Sequence, residues 1–155
     1  MSNLLRKQLV RTIMVPGDLH AVFACFCPVM EKSWSPGWDC VMAYSRTGVA
    51  EKDCVFTTSH DSLPTMVWVC STYDVDHEVE YIRVTPEHFV TVINIKTSQG
   101  DGQVECVVTY THTALTAAGA VFINRHLTVD AFASDVDAWP AQIVAFLERR
   151  QAMHR

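Results

Sequence analysis

The chain has 155 residues, 49% of them hydrophobic and only 19% charged, with a net charge of −5 at pH 7. A single domain over 1–155 buries roughly two thirds of its unfolded surface and needs neither disulfides nor a structural metal to hold its core. The 12 Lys and Arg are scattered, which argues against a nucleic-acid partner because phosphate neutralisation needs a clustered basic surface.

No stretch approaches the roughly 18 to 20 apolar residues of a membrane span, so no integral membrane segment is expected. The first thirty residues lack an apolar run of signal-peptide length, Leu9 to Val15 being interrupted by Arg11 and Thr12. Cys25, Cys27, Cys40, Cys54, Cys70 and Cys106 have no CxxC pairing and lie mostly in apolar runs. They read as reduced, buried thiols of a cytoplasmic protein.

Leu9 to Val15 reads as a strand ended by Pro16-Gly17. Asp18 is a good N-cap for a helix carrying Leu19, Val22, Phe23 and Phe26, and Pro28 either stops that helix or opens a second short one. Trp34-Ser35-Pro36-Gly37-Trp38 is a turn between two large aromatics, leading to a strand over Asp39 to Ser45 with Cys40, Met42 and Tyr44 on one parity. Cys54 to Ser59, Thr65 to Tyr73, Glu78 to Val84, His88 to Thr97 and Val104 to Thr113 continue as β runs with short connections, an antiparallel meander. Phe122, His126, Val129, Phe132, Val136, Trp139, Ile143 and Phe146 then step by three and four, one face of a helix. A kink or a break is expected at Pro140, which removes a backbone bond, and Thr128-Val129-Asp130 offers another break.

The predicted architecture is α+β: a curved antiparallel sheet of about seven strands wrapped around a long C-terminal helix, with two short helices after the first strand. Cys27-Pro28-Val29 through Trp34-Ser35-Pro36-Gly37-Trp38-Asp39-Cys40, and Tyr110-Thr111-His112-Thr113-Ala114-Leu115 before a helix, carry a resemblance to the helix-grip fold of the START and Bet v 1-like (SRPBCC) superfamily, its bacterial polyketide cyclase-like branch in particular. The resemblance covers essentially the whole chain. It implies a deep cavity between sheet and helix, which relatives use for lipids, sterols, polyketide intermediates or quinone-like molecules. Fold alone does not choose among carrier, enzyme and partner protein.

A seven-stranded sheet is roughly 28 Å across while one helix covers about 10 Å, so the concave face needs bulky side chains or a ligand to fill it. By strand parity Cys40, Met42, Tyr44, Cys54, Phe56, Phe89, Ile93, Cys106, Val108 and Tyr110 are candidate lining, joined by Phe132 and Trp139 from the helix. A closed core of these residues is the alternative. His60, Thr91 and His112 share the inward parity, and a buried imidazole or phenol must find a partner or face a polar ligand group. For His60 and His112, both at strand ends, solvent exposure is the commoner fate.

Arg83 is the one cation inside Val79 to Val84. Inward, it binds a carboxylate or enolate; outward, it is an ordinary solvated residue beside Glu78 or Glu80, the more economical reading. Trp68 and Tyr73 fall on opposite faces of their strand. His126, on the apolar helix face, reads as a satisfied core histidine. His20, Cys25 and Cys27 are close in sequence, but no second cluster completes a zinc site, and neither a metal nor a cofactor is implied.

Three functions compete. The first is binding of a small hydrophobic or amphipathic ligand, lipid-, polyketide- or aromatic-like, through Tyr44, Phe56, His60, Arg83, Tyr110, His112, Phe132 and Trp139. The second is a cyclase or aromatase using cavity Tyr, His and Arg for acid–base chemistry. The third is an interaction module, a homodimer through an apolar Trp34 to Trp38 loop.

Overall fold

A computed structural model describes residues 5–154. Strand β1 (Arg6–Pro16) is followed by two short helices, α1 (Leu19–Ala24) and α2 (Pro28–Trp34). Six strands come next: β2 (Val41–Tyr44), β3 (Val55–His60), β4 (Leu63–Asp74), β5 (Glu78–Thr85), β6 (Phe89–Gln99) and β7 (Gln103–Ala114). Helices α3 (Ala117–His126) and α4 (Val129–Met153) close the order. The strands form one antiparallel sheet, β1-β7-β6-β5-β4-β3-β2, in which the first strand pairs with the last and every other neighbour follows in sequence. This is the expected helix-grip fold, a curved sheet holding the C-terminal helix.

Local chemistry accounts for the short helices. The Asp18 carboxylate accepts from the Ala21 N–H at 3.2 Å, satisfying a donor that has no partner within the helix. Pro28 occupies the first turn of α2, where its missing N–H costs nothing. Trp34 then folds back, its Nε1–H donating to the Cys25 carbonyl at 2.8 Å. Trp34 is thus buried, 5% exposed, and Trp38 is half-buried. The Trp34 to Trp38 segment is therefore not an exposed apolar patch, and the interaction-module reading built on it falls.

Directly opposed residues of antiparallel strands point to the same face, so the register resolves into rows across the sheet. One inward row runs Met42, Phe56, Trp68, Arg83, Thr91, His112, Lys7. The next runs Cys70, Tyr81, Ile93, Tyr110, Leu9. Arg83 therefore faces inward, against the solvated reading, because its neighbours Trp68 and Thr91 are both buried on the concave side. His112 is also buried, 1% exposed. Strand β7 continues past it to Ala114 between β1 and β6, so His112 is not at a frayed end.

Two irregularities in register correct two further expectations. Between Met42 and Tyr44 the pairing with β3 slips, so that Tyr44 opposes Val55, next to the inward Phe56. Tyr44 is thereby turned outward and is 59% exposed. Between Cys70 and Thr72 the pairing with β5 slips in the same way, and Tyr73 comes opposite the buried Val79. Tyr73 and Trp68 consequently share the inward face, and Tyr73 packs on Phe23 with ring centroids 5.6 Å apart. One extra residue in a strand is enough to reverse every side chain beyond it.

The break offered at Thr128 occurs. Leu127 ends α3, and the Thr128 hydroxyl accepts from the Ala131 N–H at 3.1 Å to start α4. Lys7 Nζ donates to the Leu127 carbonyl at 3.0 Å, fastening the junction to β1. Pro140, by contrast, lies inside α4 without ending it. An interior proline costs about 3 kcal/mol, whereas Val136, Trp139, Ile143 and Phe146 on the same helix are all buried and each contributes about 1.5 to 3 kcal/mol. The apolar stripe begins later than its sequence period suggests, since Val129 is 62% exposed and His126 is exposed. All six cysteines are free and buried. No helix among the described residues is long and apolar enough to cross a membrane.

Candidate functional site

A cavity of about 290 Å³ lies between the concave face of the sheet, α2 and the first half of α4. That is near the lower end of the roughly 300–1,000 Å³ typical of small-molecule sites. All four tryptophans of the chain line it: Trp34, Trp38, Trp68 and Trp139. Trp34 and Trp139 meet edge to face at 6.1 Å, Trp38 and Trp68 at 5.5 Å, and Phe56 stacks on Trp68 at 5.1 Å. Three of the indole N–H groups are engaged within the protein, with the carbonyls of Cys25 and Pro28 and the hydroxyl of Thr58, each at 2.8 Å. The Tyr81 hydroxyl likewise donates to the Phe26 carbonyl at 2.8 Å. With these polar handles tied back, the wall presents ring surface to a ligand.

The polar groups in this apolar wall fall into two clusters. In the first, Arg83 Nη2 donates to the Thr91 hydroxyl at 3.2 Å, and Thr91 Oγ1 lies 2.7 Å from His112 Nδ1. Thr91 thus links the guanidinium to the imidazole, its hydroxyl having one proton and two lone pairs to share between them. Burial, reinforced by the charges of Arg83 and Lys7, pushes the His112 pKa down to about 4, so the ring is neutral at pH 7. The unfolded chain takes up a proton at this histidine below about pH 6.5 and the folded one only near pH 4. Stability is therefore lost as the pH falls through that window. Urea unfolding at pH 7 and pH 5 is expected to show this slope, and a His112→Gln variant to lack it.

Arg83 has no carboxylate partner among the described residues, and its Nε is buried without an acceptor. Its Cζ lies 5.2 Å from the centroid of the Trp68 ring. A cation–π contact of this kind contributes about 0.5 to 2 kcal/mol, less than the several kcal/mol that removing an ion from water costs. Burial accordingly lowers the Arg83 pKa from its ordinary value.

The second cluster is acidic. Glu31, at the inner face of α2, makes no hydrogen bond through its carboxyl among the described residues, and burial with the nearby Asp135 charge pushes its pKa up to about 8. Asp135 on α4 is raised in the same direction by partial burial. Tyr110 is near enough to Arg83, Glu31 and Asp135 for each to act on its ionisation, with burial the largest effect and its pKa raised. Its ring packs on Phe132 at 5.0 Å. Among the described residues no three His, Cys, Asp or Glu gather as a metal-binding group.

A second cavity of about 280 Å³ is lined by His60, Phe89 and Phe122 and shares Arg83, His126 and Leu127 with the first. His126 is no core histidine; its ring lies 4.6 Å from that of Phe122 at the rim. Of the residues singled out from sequence, Phe56, Arg83, Tyr110, His112, Phe132 and Trp139 line the main cavity and His60 the smaller one, while Tyr44 lines neither. Cys54, Cys106 and Val108 pack into the closed core instead.

Glu31 and Asp135 escaped the sequence reading, although a signal was present. Asp135 is three residues after Phe132 and four before Trp139, inside the apolar stripe, and Pro28, Glu31, Trp34 and Ser35 share one face of α2.

No protein-family model matches the chain, and no curated protein does. Solved structures share its architecture. The Helicobacter pylori protein jhp0584 matches with a TM-score of 0.71 at 11% identity, over 90% of this chain and 87% of its own. A point mutant of norcoclaurine synthase from Thalictrum flavum, in complex with a transition-state analogue, matches with a TM-score of 0.66 at 10% identity, over 97% and 99% of the two chains. Ara h 8.0201 matches with a TM-score of 0.66 at 13% identity, over 92% and 99%. What the chain has in common with these proteins is the Bet v 1-like helix-grip fold.

Proposed function

We propose that this chain, as one domain, binds a compact amphipathic molecule with an aromatic or otherwise planar apolar body in the cavity between sheet and α4. The observation that carries the reading is the cavity itself: about 290 Å³ walled by all four tryptophans together with Phe56, Tyr110 and Phe132. A protein needing only a core closes such a space, because unfilled apolar volume costs stability. The six free thiols suit a reducing compartment, and we place the protein in the cytoplasm on that basis.

Because every tryptophan lines the site, intrinsic fluorescence reports on occupancy directly. Titration with aromatic ligands is expected to change the emission saturably with a stoichiometry of one, and mass spectrometry of protein from its native host to release a bound small molecule. A wild-type protein whose emission no aromatic ligand changes, and from which nothing is released, does not bind in this cavity.

One observation favours a second reading, acid–base catalysis of the cyclase type. Glu31, with its pKa near 8, holds a proton at neutral pH and lines the same cavity as Arg83 and Tyr110, so it can deliver that proton to a substrate oxygen. With an identified substrate, Glu31→Gln is expected to abolish turnover while leaving binding within a few-fold. Equal turnover by the variant would remove Glu31 from any such role.

A further inference from the structure

We infer that the ligand carries an oxyanion, a carboxylate or an ionised phenol or enol, and that Arg83 is the residue that recognises it. The inference rests on the cavity reading above and names the chemical class that the cavity takes. Arg83 is the only Lys or Arg lining either cavity, and it lies on the wall common to both. It has no ion-pair partner among the described residues. Its sole hydrogen bond there uses one Nη2 proton, so the guanidinium retains donors that a carboxylate oxygen accepts in the fork geometry that arginine favours. Proteins seldom place a cation among aromatic rings without an opposing charge, and here the missing charge is left for the occupant.

The neighbours sharpen this assignment. The Thr91 hydroxyl accepts one guanidinium N–H and lies 2.7 Å from His112 Nδ1, which holds the fork in place from behind. The acidic pair does not neutralise the cation: neither Glu31 nor Asp135 forms an ion pair with Arg83. They line the same cavity, where Glu31 in its protonated form offers a hydrogen bond to a neutral oxygen or nitrogen of the ligand. Tyr110 lines the same cavity and brings a further hydroxyl to it. The occupant that fits is a planar aromatic acid with a second, uncharged polar group away from its acidic end. His60, Phe122 and His126 surround the second cavity, so a longer substituent at the acidic end has room beside Arg83.

The test compares aromatic carboxylates with their own carboxamides, pairs equal in shape and differing in charge: cinnamate with cinnamamide, and naphthoate with naphthamide. Affinities are read at pH 7.5 by calorimetry and tryptophan emission on the intact protein. The carboxylate of at least one pair is expected to bind about 10-fold to 100-fold more tightly than its amide, the range for a hydrogen bond to a charged group. In Arg83→Met this preference is expected to vanish, acid and amide binding with similar affinity, and Arg83→Lys to restore it only in part, since lysine lacks the fork.

Amides that bind the wild type as well as the acids, or a preference that survives in Arg83→Met, overturn the inference while leaving the cavity as a binding site. If neither acids nor amides bind, the cavity reading fails and the inference with it. Should Arg83→Met not fold, the wild-type comparison of acid with amide decides alone.

Discussion

Replacing Glu31 with glutamine is expected to raise the stability of the protein by on the order of 4 kcal/mol at pH 9, and by almost nothing at pH 4. In the folded chain the Glu31 carboxyl holds its proton up to about pH 8, against an ordinary value of 4.5. The unfolded chain therefore releases this proton at a lower pH than the folded one does. Between those two values the folded state binds more protons, so wild-type stability falls as the pH rises. Each unit of separation corresponds to about 1.4 kcal/mol.

Glutamine has the same shape and no charge to bury, so the variant loses the slope and the difference between the two proteins opens with pH. For a chain of this length the gain corresponds to a rise of roughly 10 °C in Tm at pH 9. Thermal unfolding followed by circular dichroism at pH 4, 6.5 and 9 measures it. Parallel curves for the two proteins across that range would show that the carboxyl is not held neutral. A group that weakens the fold this much at neutral and alkaline pH is of the kind retained at sites of function.

The second large effect is expected at Gly119. Alanine within a helix ordinarily stabilises relative to glycine by up to about 1 kcal/mol, yet here the sign reverses. A Cβ on Gly119 would stand 1.7 Å from the carbonyl oxygen and 2.4 Å from the carbonyl carbon of His88. That carbonyl cannot withdraw easily, because it accepts from the Leu115 N–H at 2.8 Å, while the His88 N–H donates to the Thr85 carbonyl at 3.0 Å. The Thr116 side chain bridges the same contact, donating to the Glu87 carbonyl at 2.6 Å and accepting from the Gly119 N–H at 3.1 Å.

Helix α3 must therefore lift from the β5–β6 turn, taking Ile123 away from Phe89 and Ala114. A cost of roughly 3 kcal/mol or more is expected, the upper part of the range for overpacking, measurable as a lower urea midpoint with an unchanged slope. An unaltered or higher midpoint in Gly119→Ala would show that α3 and the turn are not in such close contact. In the folded variant, displacement of Phe122 and His126 also widens the smaller cavity, so ligands with bulky substituents should bind it faster than the wild type.

Much of the architecture was legible in the amino-acid sequence because two periods carry it. Alternation marks the strands from Cys54 to Thr113, and the spacing of three and four marks the stripe through Val136, Trp139, Ile143 and Phe146. What alternation could not convey is the position at which it changes phase. Counting along the strands puts Tyr44 on the face of Met42 and Tyr73 on the face opposite Trp68, and a single extra residue before each reverses the outcome.

Arg83 illustrates a different gap. Tyr81 and Arg83 alternate with Ile82 and Val84, so the hydrophobic pattern supports both orientations equally. Only the pairing with Trp68 and Thr91 across two neighbouring strands selects one. The acidic cluster was missed for a third reason. Carboxylates are normally read as solvated, and Glu31 and Asp135 come from helices α2 and α4, about a hundred residues apart in the chain, so no local window contains the pair. Sequence reveals the chemistry of each side chain, and the fold decides which of them share a cavity.

The six buried thiols give the molecule a set of internal clocks. A thiol must reach solvent before it can be alkylated, so each labelling rate under native conditions measures how often the structure around that sulfur opens. Cys106, wholly buried in β7 between β1 and β6, should react only through global unfolding. Cys40, next to the short edge strand β2, and Cys27, whose Sγ accepts from the Ala50 N–H at 3.3 Å, should be modified earlier. Occupation of the cavity should slow the reagent at Cys40, whose Sγ donates to the Pro28 carbonyl at 3.6 Å behind the wall that Trp38 and Pro28 form. The order in which the six masses appear is thus a map of local stability that requires no mutation at all.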